Sequence, residues 1–212
     1  MTPGVAFWIG LAVAVTYFPM SDGRTSWPRS VVKTVPLLAF AAAAYGGGAP
    51  LWLVAGLLLS AAGDFALSRR GDLAFLSGLG AFALAHVAYL GVFLDLSGRP
   101  IWDAFVLAPA LAVFLVGVTL STEFWLIPHT NGLRWPVRAY AVIITLMGLA
   151  QLTLPIGQAT LGMTLFYTSD VVLAMQLFRM GADNPLVGRT SWVIWGLYIA
   201  GQSLILTGIM TL

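Results

Sequence analysis

Residues 73–94 read LAFLSGLGAFALAHVAYLGVFL and contain no Asp, Glu, Lys or Arg. A helix of this length is about 33 Å long, which is the thickness of the hydrocarbon core of a bilayer. The rest of the 212-residue chain has the same character, because 59% of it is hydrophobic and only 8% is charged. Soluble domains carry about 25% charged residues. The composition therefore indicates an integral membrane protein, and it argues against a soluble enzyme or a nucleic-acid-binding module.

Seven further apolar stretches have, or approach, the length needed to cross a bilayer. The eight predicted spans cover residues 4–20, 31–46, 50–68, 73–94, 102–121, 136–154, 156–178 and 191–211. The second is short, and only Pro155 separates the sixth from the seventh, so seven spans is the alternative count. Abundant Gly and Ala favour close helix packing in lipid. We expect one all-α transmembrane helix bundle formed by residues 1–212.

The ten basic residues are distributed unevenly among the predicted loops, since only Arg99 falls in an even-numbered loop. The other nine, in or beside odd-numbered loops, are Arg24, Arg29, Lys33, Arg69, Arg70, Arg134, Arg138, Arg179 and Arg189. Lys and Arg near the ends of spans are retained on the cytoplasmic side. The pattern predicts cytoplasmic odd-numbered loops, with both termini on the opposite side of the cell (inner) membrane.

Apart from Asp103 at the very start of the fifth span, two carboxylates fall inside predicted spans: Asp64 late in the third and Asp170 in the seventh. A charged side chain at the bilayer centre costs about 2.5–3.5 kcal/mol on insertion scales, so it is a candidate functional group. The alternative is a polar link between helices. From the helical rise, Asp64 lies about 7 Å from Arg69 and Asp170 about 13 Å from Arg179. Both acids are thus predicted in the cytoplasmic half, where one cavity can contain them.

His86 is predicted about 21 Å along its span from Asp72, nearer the outer leaflet. It belongs to one helix face with Phe75, Gly78, Phe82, Tyr89 and Phe93. Such aromatic stripes usually pack against other helices, and His86 is a candidate proton carrier or hydrogen-bond partner. The difference in depth argues against a metal site formed by His86 and the two aspartates. The chain has no Cys, so thiolate chemistry is excluded.

Further polar residues within or beside the spans are candidates either for substrate contact or for interhelical hydrogen bonds. They are Lys33, Tyr89, Arg138, Tyr140, Ser169, Tyr198 and Gln202. Lys33 and Arg138 begin spans on the basic side, where they suit an anionic head group. Ser60 and Ser169 lack the sequence around a catalytic nucleophile of the hydrolase type. The chemistry that remains is general acid–base catalysis by two carboxylates.

Taken together, these positions resemble the YhhN-type family of integral membrane proteins, the lysoplasmalogenase family, from about residue 31 to residue 206. The residues that carry the resemblance are Lys33, Ser60, Gly63, Asp64, Leu67, the stripe from Phe75 to Phe93, Tyr140, Met147, Gly162, Phe166, Ser169, Asp170, Ala174, Tyr198 and Gln202.

The resemblance implies a hydrolase that cleaves the vinyl-ether bond of lysoplasmalogens, yielding a fatty aldehyde and a glycerophospho-base. The substrate would be a lysophospholipid with an ethanolamine or choline head group, drawn from membrane lipid, and no metal or organic cofactor is needed. We expect Asp170 to donate the proton and Asp64 to act as the carboxylate, with the reverse assignment open. Glycosidases divide the same tasks between two carboxyl groups.

Two other classes of protein have the same polar residues within spans. One is a proton-coupled transporter or lipid-binding membrane protein, in which intramembrane Asp and His relay protons. The other is a structural membrane subunit that uses these groups only to pair helices. The sequence leaves the oligomeric state open.

Overall fold

The computed structural model describes residues 4–23, 25–181 and 184–212. Within these ranges the chain forms nine α-helices joined by turns and short 3₁₀ segments, and it has no β-strand. The helices are α1 (Val5–Tyr17), α2 (Trp27–Gly46), α3 (Leu51–Leu67), α4 (Asp72–Ser97), α5 (Ala104–Leu107), α6 (Pro109–Trp125), α7 (Arg134–Gln151), α8 (Gln158–Arg179) and α9 (Val187–Ile209). Arg24, one of the nine basic residues in the odd-numbered loops, lies outside the described residues.

The predicted all-helical fold class is confirmed, and each predicted span overlaps one long helix. Three of the helices, α4, α8 and α9, are long and apolar enough to cross a membrane. Three apolar segments are shorter: α1 with the 3₁₀ turn that follows it, α3 and α6. The four-residue α5 was not predicted as a separate element.

The fifth predicted span, 102–121, was misplaced. The structure has a helical break at Ala108, whose φ of −143° and ψ of 62° are not helical, and α6 then runs from Pro109 to Trp125. A residue that precedes proline is pushed out of the α region, while proline itself suits the first position of a helix. Pro155 likewise lies between two helices, since α7 ends at Gln151 and α8 begins at Gln158.

The second predicted span is longer than expected, because α2 begins at Trp27 rather than near residue 31. The Ser26 side chain caps this helix by accepting a hydrogen bond from the backbone N–H of Arg29 at 3.3 Å. Such caps satisfy one of the free N–H groups of the first turn. The additional turn places Arg29 and Lys33 on one face of α2, four residues apart.

Small residues allow the closest helix pair, α8 with α9, to pack backbone against backbone. A Cβ added to Gly162 would lie 2.6 Å from the backbone nitrogen of Ile205, and one added to Gly201 would lie 2.8 Å from that of Phe166. No larger side chain fits there, which is the expected packing of helices in lipid. The tight pair fixes the rotation of α8, and therefore the direction in which Asp170 points.

The odd-numbered loops meet at one end of the bundle. Arg69, after α3, donates to the backbone oxygen of Ser26 before α2 at 2.7 Å. Arg179, at the end of α8, donates to the backbone oxygen of Trp125 at the end of α6 at 2.7 Å. An aromatic contact between the first turn of α4 and the last turn of α8 joins the two pairs. The basic residues of these loops are therefore gathered at the same end of the molecule.

Candidate active site

Asp64 lies in α3 with its side chain only 2% exposed. Its Oδ1 is 3.1 Å from Nζ of Lys33 in α2. Its Oδ2 accepts a hydrogen bond of 2.7 Å from the hydroxyl of Tyr198 in α9. A buried charge is tolerated when it is paired and its remaining lone pairs are satisfied. These contacts suit an ionised carboxylate, and they connect three helices through one side chain.

Asp170, in α8, has a different environment and is 12% exposed. Its Oδ2 accepts a hydrogen bond of 2.6 Å from the hydroxyl of Tyr140 in α7. The same oxygen lies 3.5 Å from Nε2 of His86 in α4. No Lys or Arg within salt-bridge distance of Asp170 is found among the described residues. Asp170 therefore differs from Asp64 in lacking a permanent cation beside it.

The placement of His86 corrects the prediction that it lies at a different depth from Asp170. The ring of Phe75 in α4 contacts that of Phe178 in α8, so these two positions are level. From there the helical rise places His86 about 16 Å along α4 and Asp170 about 12 Å along α8. The side chains of His86 and Asp170 bridge the small remaining difference in depth. The depth argument against a metal site thus fails, although the described residues contain no group of three metal ligands.

Both aspartates line one cavity of about 230 Å³. Its polar wall includes Lys33 and Arg29 from α2, Ser169 and Gln176 from α8, and Tyr198 from α9. Arg29 is held in place, because its guanidinium donates to two backbone oxygens between α1 and α2, each at 2.7 Å. The cavity is thus lined by two basic side chains and two carboxyl groups, and Lys33 is in contact with Asp64.

A second, apolar cavity of about 90 Å³ extends between α4, α6, α7 and α8. It shares six lining residues with the polar cavity: Leu67, Phe75, Phe82, Asp170, Leu173 and Leu177. Asp170 is the one ionisable residue among these six. It therefore sits where a charged chamber meets a groove lined by hydrocarbon side chains.

Two of the candidate substrate-binding residues form a buried network away from both cavities. The hydroxyl of Tyr89 donates to Oε1 of Gln202, and Nε2 of Gln202 donates to Oγ of Ser60 at 3.1 Å. All three residues are fully buried, and none lines either cavity. The structure favours the alternative reading of Tyr89 and Gln202, as hydrogen bonds that join α3, α4 and α9.

Arg138, a candidate together with Lys33 for contact with an anionic head group, lines neither cavity. Its guanidinium makes two hydrogen bonds to the Glu123 carboxylate, at 2.8 and 2.7 Å, on an exposed surface. The second cation of the polar cavity is Arg29 instead, which was not singled out from the sequence. Its spacing of four residues from Lys33 was the available signal, because such residues share a helix face.

Comparison with known proteins adds an independent line of evidence. The model of the YhhN family matches residues 28–209, which is most of the chain. The chain belongs to the YhhN family.

Individual relatives of this family member cover nearly its whole length. A lysoplasmalogenase of Mycobacterium bovis is 32% identical over 97% of this chain and 80% of its own length. Human lysoplasmalogenase TMEM86B is 32% identical over 96% of this chain and 86% of its own length. The mouse lysoplasmalogenase TMEM86B is 35% identical over 73% of this chain and 66% of its own length. No solved structure matches the chain.

Proposed function

We propose that this protein is a membrane-embedded hydrolase that cleaves the vinyl-ether bond of lysoplasmalogens to a fatty aldehyde and a glycerophospho-base. The relatives that carry the lysoplasmalogenase name support the substrate class. The observation that carries the proposal in the structure is the position of Asp170 at the junction of the polar cavity and the apolar groove. In a lysoplasmalogen, the vinyl ether is likewise the junction between the polar head and the hydrocarbon tail.

The proposal assigns the two halves of such a lipid to the two cavities. The phosphate would lie beside Lys33 and Arg29, which provide an ammonium and a guanidinium on the polar side. Cationic pockets between transmembrane helices bind lipid head groups in this way. The single hydrocarbon chain would lie in the apolar groove, between residues of α4, α6, α7 and α8. The vinyl ether then lies against Asp170.

The chemistry begins with protonation of carbon. Protonated Asp170 gives its proton to the β-carbon of the vinyl ether, whose π electrons form the new C–H bond, and an oxocarbenium ion results. The charge of Asp64 stabilises this cation across the cavity. Water adds to the α-carbon and gives a proton to Asp64. The hemiacetal then collapses: its hydroxyl proton returns to Asp170, the carbon–oxygen bond to glycerol breaks, and Asp64 protonates the departing oxygen.

The contacts of the two acids support this division of roles. Asp64 has a cation at 3.1 Å and an O–H donor at 2.7 Å, which suit a carboxylate that stays ionised in the resting enzyme. Asp170 has a phenol donor and an imidazole but no permanent cation, so a bound proton is less disfavoured there. Pairs of carboxyl groups with unlike surroundings commonly divide acid and base roles. Asp170 is therefore assigned as the acid.

The same proposal includes an arrangement in the membrane. We expect the eight long helices to cross the bilayer, with the basic end of the bundle facing the cytoplasm and both termini on the other side of the cell membrane. The polar cavity would then open toward the cytoplasmic leaflet. Reporter domains fused after Leu212 and inserted between α3 and α4 should report opposite sides. The same side for both fusions would contradict this topology.

The activity test uses purified protein with alkenyl-lysophosphatidylethanolamine, and it measures fatty aldehyde. Asp170→Asn and Asp64→Asn should each lower aldehyde release by about 10²- to 10⁴-fold, the usual contribution of a general acid or base. Thr168→Ala is the matched control, since Thr168 is exposed on the same helix and bonds only within it. An acyl lysophospholipid of equal chain length should not be cleaved. Full activity in both Asn variants would contradict the proposal. Proton uptake by vesicles that contain the protein, without lipid turnover, would contradict it as well.

A further inference from the structure

Among the described residues, His86 is a buried titratable side chain beside the proposed proton donor, and it takes no part in the steps above. Its ring is fully buried, stacked on Phe166 at 4.7 Å between centroids and crossed edge-on by Tyr140 at 5.3 Å. Its Nδ1 lies 2.6 Å from the backbone oxygen of Phe82. A carbonyl oxygen only accepts hydrogen bonds, so Nδ1 must carry a hydrogen. This contact fixes both the tautomer and the orientation of the ring.

The other ring nitrogen is directed at Asp170. Nε2 of His86 is buried and has no hydrogen-bond partner within ordinary distance, and the oxygen it faces, Oδ2 of Asp170, is 3.5 Å away. Oδ2 also receives the Tyr140 hydroxyl. If Asp170 were ionised and His86 neutral, a lone pair of Nε2 would face a lone pair of Oδ2 on a ring nitrogen that is fully buried. A proton between Nε2 and Oδ2 removes that repulsion and satisfies both atoms.

We propose that His86 is a positioning residue that shares the acidic proton of Asp170 through Nε2. The inference rests on the proposed function, because it assigns the group that keeps the proton donor loaded. The proton moves between a carboxylic acid beside a neutral imidazole and a carboxylate beside an imidazolium. Neither arrangement changes the net charge of the buried pair. Transfer within the pair therefore creates no net charge in the membrane. When Asp170 gives its proton to the substrate, the pair becomes a carboxylate beside a neutral imidazole, and the proton from the hemiacetal hydroxyl restores the shared state.

Other ionisable groups face this pair from each neighbouring helix. Tyr140 of α7 donates to Asp170 directly. Across the polar cavity lie Lys33 of α2, Asp64 of α3 and Tyr198 of α9. Lys33 is already paired with Asp64. Loss of the shared proton would thus leave Asp170 ionised in the same cavity as the Asp64 carboxylate, with His86 as the group that opposes this loss.

The first test is the pH profile of His86→Gln. A glutamine amide can donate to the Asp170 carboxylate but cannot take up a proton, and donation to the charged form favours that form. We expect the alkaline limb of kcat to move to lower pH by about one unit, with kcat at neutral pH lowered about tenfold. His129→Gln is the matched control, because His129 lies in the loop between α6 and α7, at the exposed Arg179 side chain. Its profile should equal that of the unmodified protein.

The second test detects the proton on Nε2 of His86 directly, by ¹⁵N NMR. The chain has only two histidines, so ¹⁵N-labelled histidine in the His129→Gln background gives signals from His86 alone. We expect the ¹⁵N chemical shift of Nε2 to lie between the values of an unprotonated and a protonated ring nitrogen. In Asp170→Asn it should move to the value of the unprotonated nitrogen. Identical Nε2 chemical shifts in the two proteins would overturn the inference.

The two proposals fail in distinguishable ways. If Asp170→Asn is inactive while His86→Gln keeps the original pH profile, the role of His86 is wrong and the proposed function stands. If Asp170→Asn retains full activity, Asp170 is not the proton donor, and both the proposed mechanism and the role of His86 are wrong. If His86→Gln does not fold, His86→Asn and the ¹⁵N measurement on the unmodified residue decide between these outcomes.

Discussion

Replacing Lys33 by methionine removes the positive partner of Asp64 while keeping a side chain of similar length. The two charged atoms are 3.1 Å apart, and the carboxylate is 2% exposed. At an effective dielectric constant of about 20, unit charges at that distance attract by about 5 kcal/mol. Removing one partner of a buried pair costs about 3–5 kcal/mol, because the other charge is left buried. We therefore expect Lys33→Met to lower the free energy of unfolding by about 3–5 kcal/mol.

The double-mutant cycle separates this effect from simple loss of packing. Asp64→Asn alone should cost only about 1–2 kcal/mol, since its amide oxygen still accepts from Tyr198 and the 16%-exposed Lys33 reaches the cavity. The double variant contains no unpaired charge, so it should be more stable than Lys33→Met by about 2 kcal/mol. Arg70→Met, at an exposed position, is the control for loss of a basic residue.

The assay is reversible unfolding in mixed detergent micelles, with each variant measured under identical conditions. A cost below about 1 kcal/mol for Lys33→Met would contradict a strong attraction between the two buried charges. A double variant that lost the sum of the two single losses would contradict it equally. Additive losses would mean that the two side chains do not interact.

Two further changes probe the packing and the head-group side of the cavity. Gly162→Ala should destabilise the protein by about 1–3 kcal/mol, because the new Cβ would lie 2.6 Å from a backbone nitrogen of α9. Gly80→Ala is the control, because nothing lies within 4 Å of a Cβ added there. It should leave the free energy of unfolding unchanged in the same assay. Equal losses would show that the close approach of α8 and α9 does not limit side-chain size. Arg29→Gln should raise KM for a phosphate-bearing lysolipid about tenfold with less change in kcat, whereas Arg138→Gln, outside both cavities, should leave KM unchanged. If Arg138→Gln raised KM and Arg29→Gln did not, the head group would bind outside the polar cavity.

Much of the candidate site follows from the sequence because charge is expensive in lipid. Asp64 and Asp170 are recognisable as special by their position inside apolar stretches. Lys33 is recognisable as a cation at the basic end of a span. None of these inferences needs knowledge of how helices pack, since the cost of a charge depends on its solvent and depth alone.

The errors concern contacts between helices that are distant in sequence. Lys33 and Arg138 begin spans on the same basic side, yet Arg138 pairs with Glu123 on an exposed surface and lines neither cavity. His86 was separated from Asp170 by depth, yet the relative offset of α4 and α8 brings the two together. Helical rise predicts depth along one axis. It does not predict the rotation of a helix or its offset against a neighbour.

Composition and hydropathy report directly on the surrounding solvent, so the sequence alone is enough to identify a helical membrane protein with ionisable groups in its interior. It also determined that basic residues gather at one end, since alternating loops of antiparallel helices must return to the same side. Which acid has a cation beside it and which has an imidazole depends instead on how the helices pack in three dimensions. That choice depends on backbone approach at small residues such as Gly162, where differences of about an ångström set the direction of every side chain on the helix.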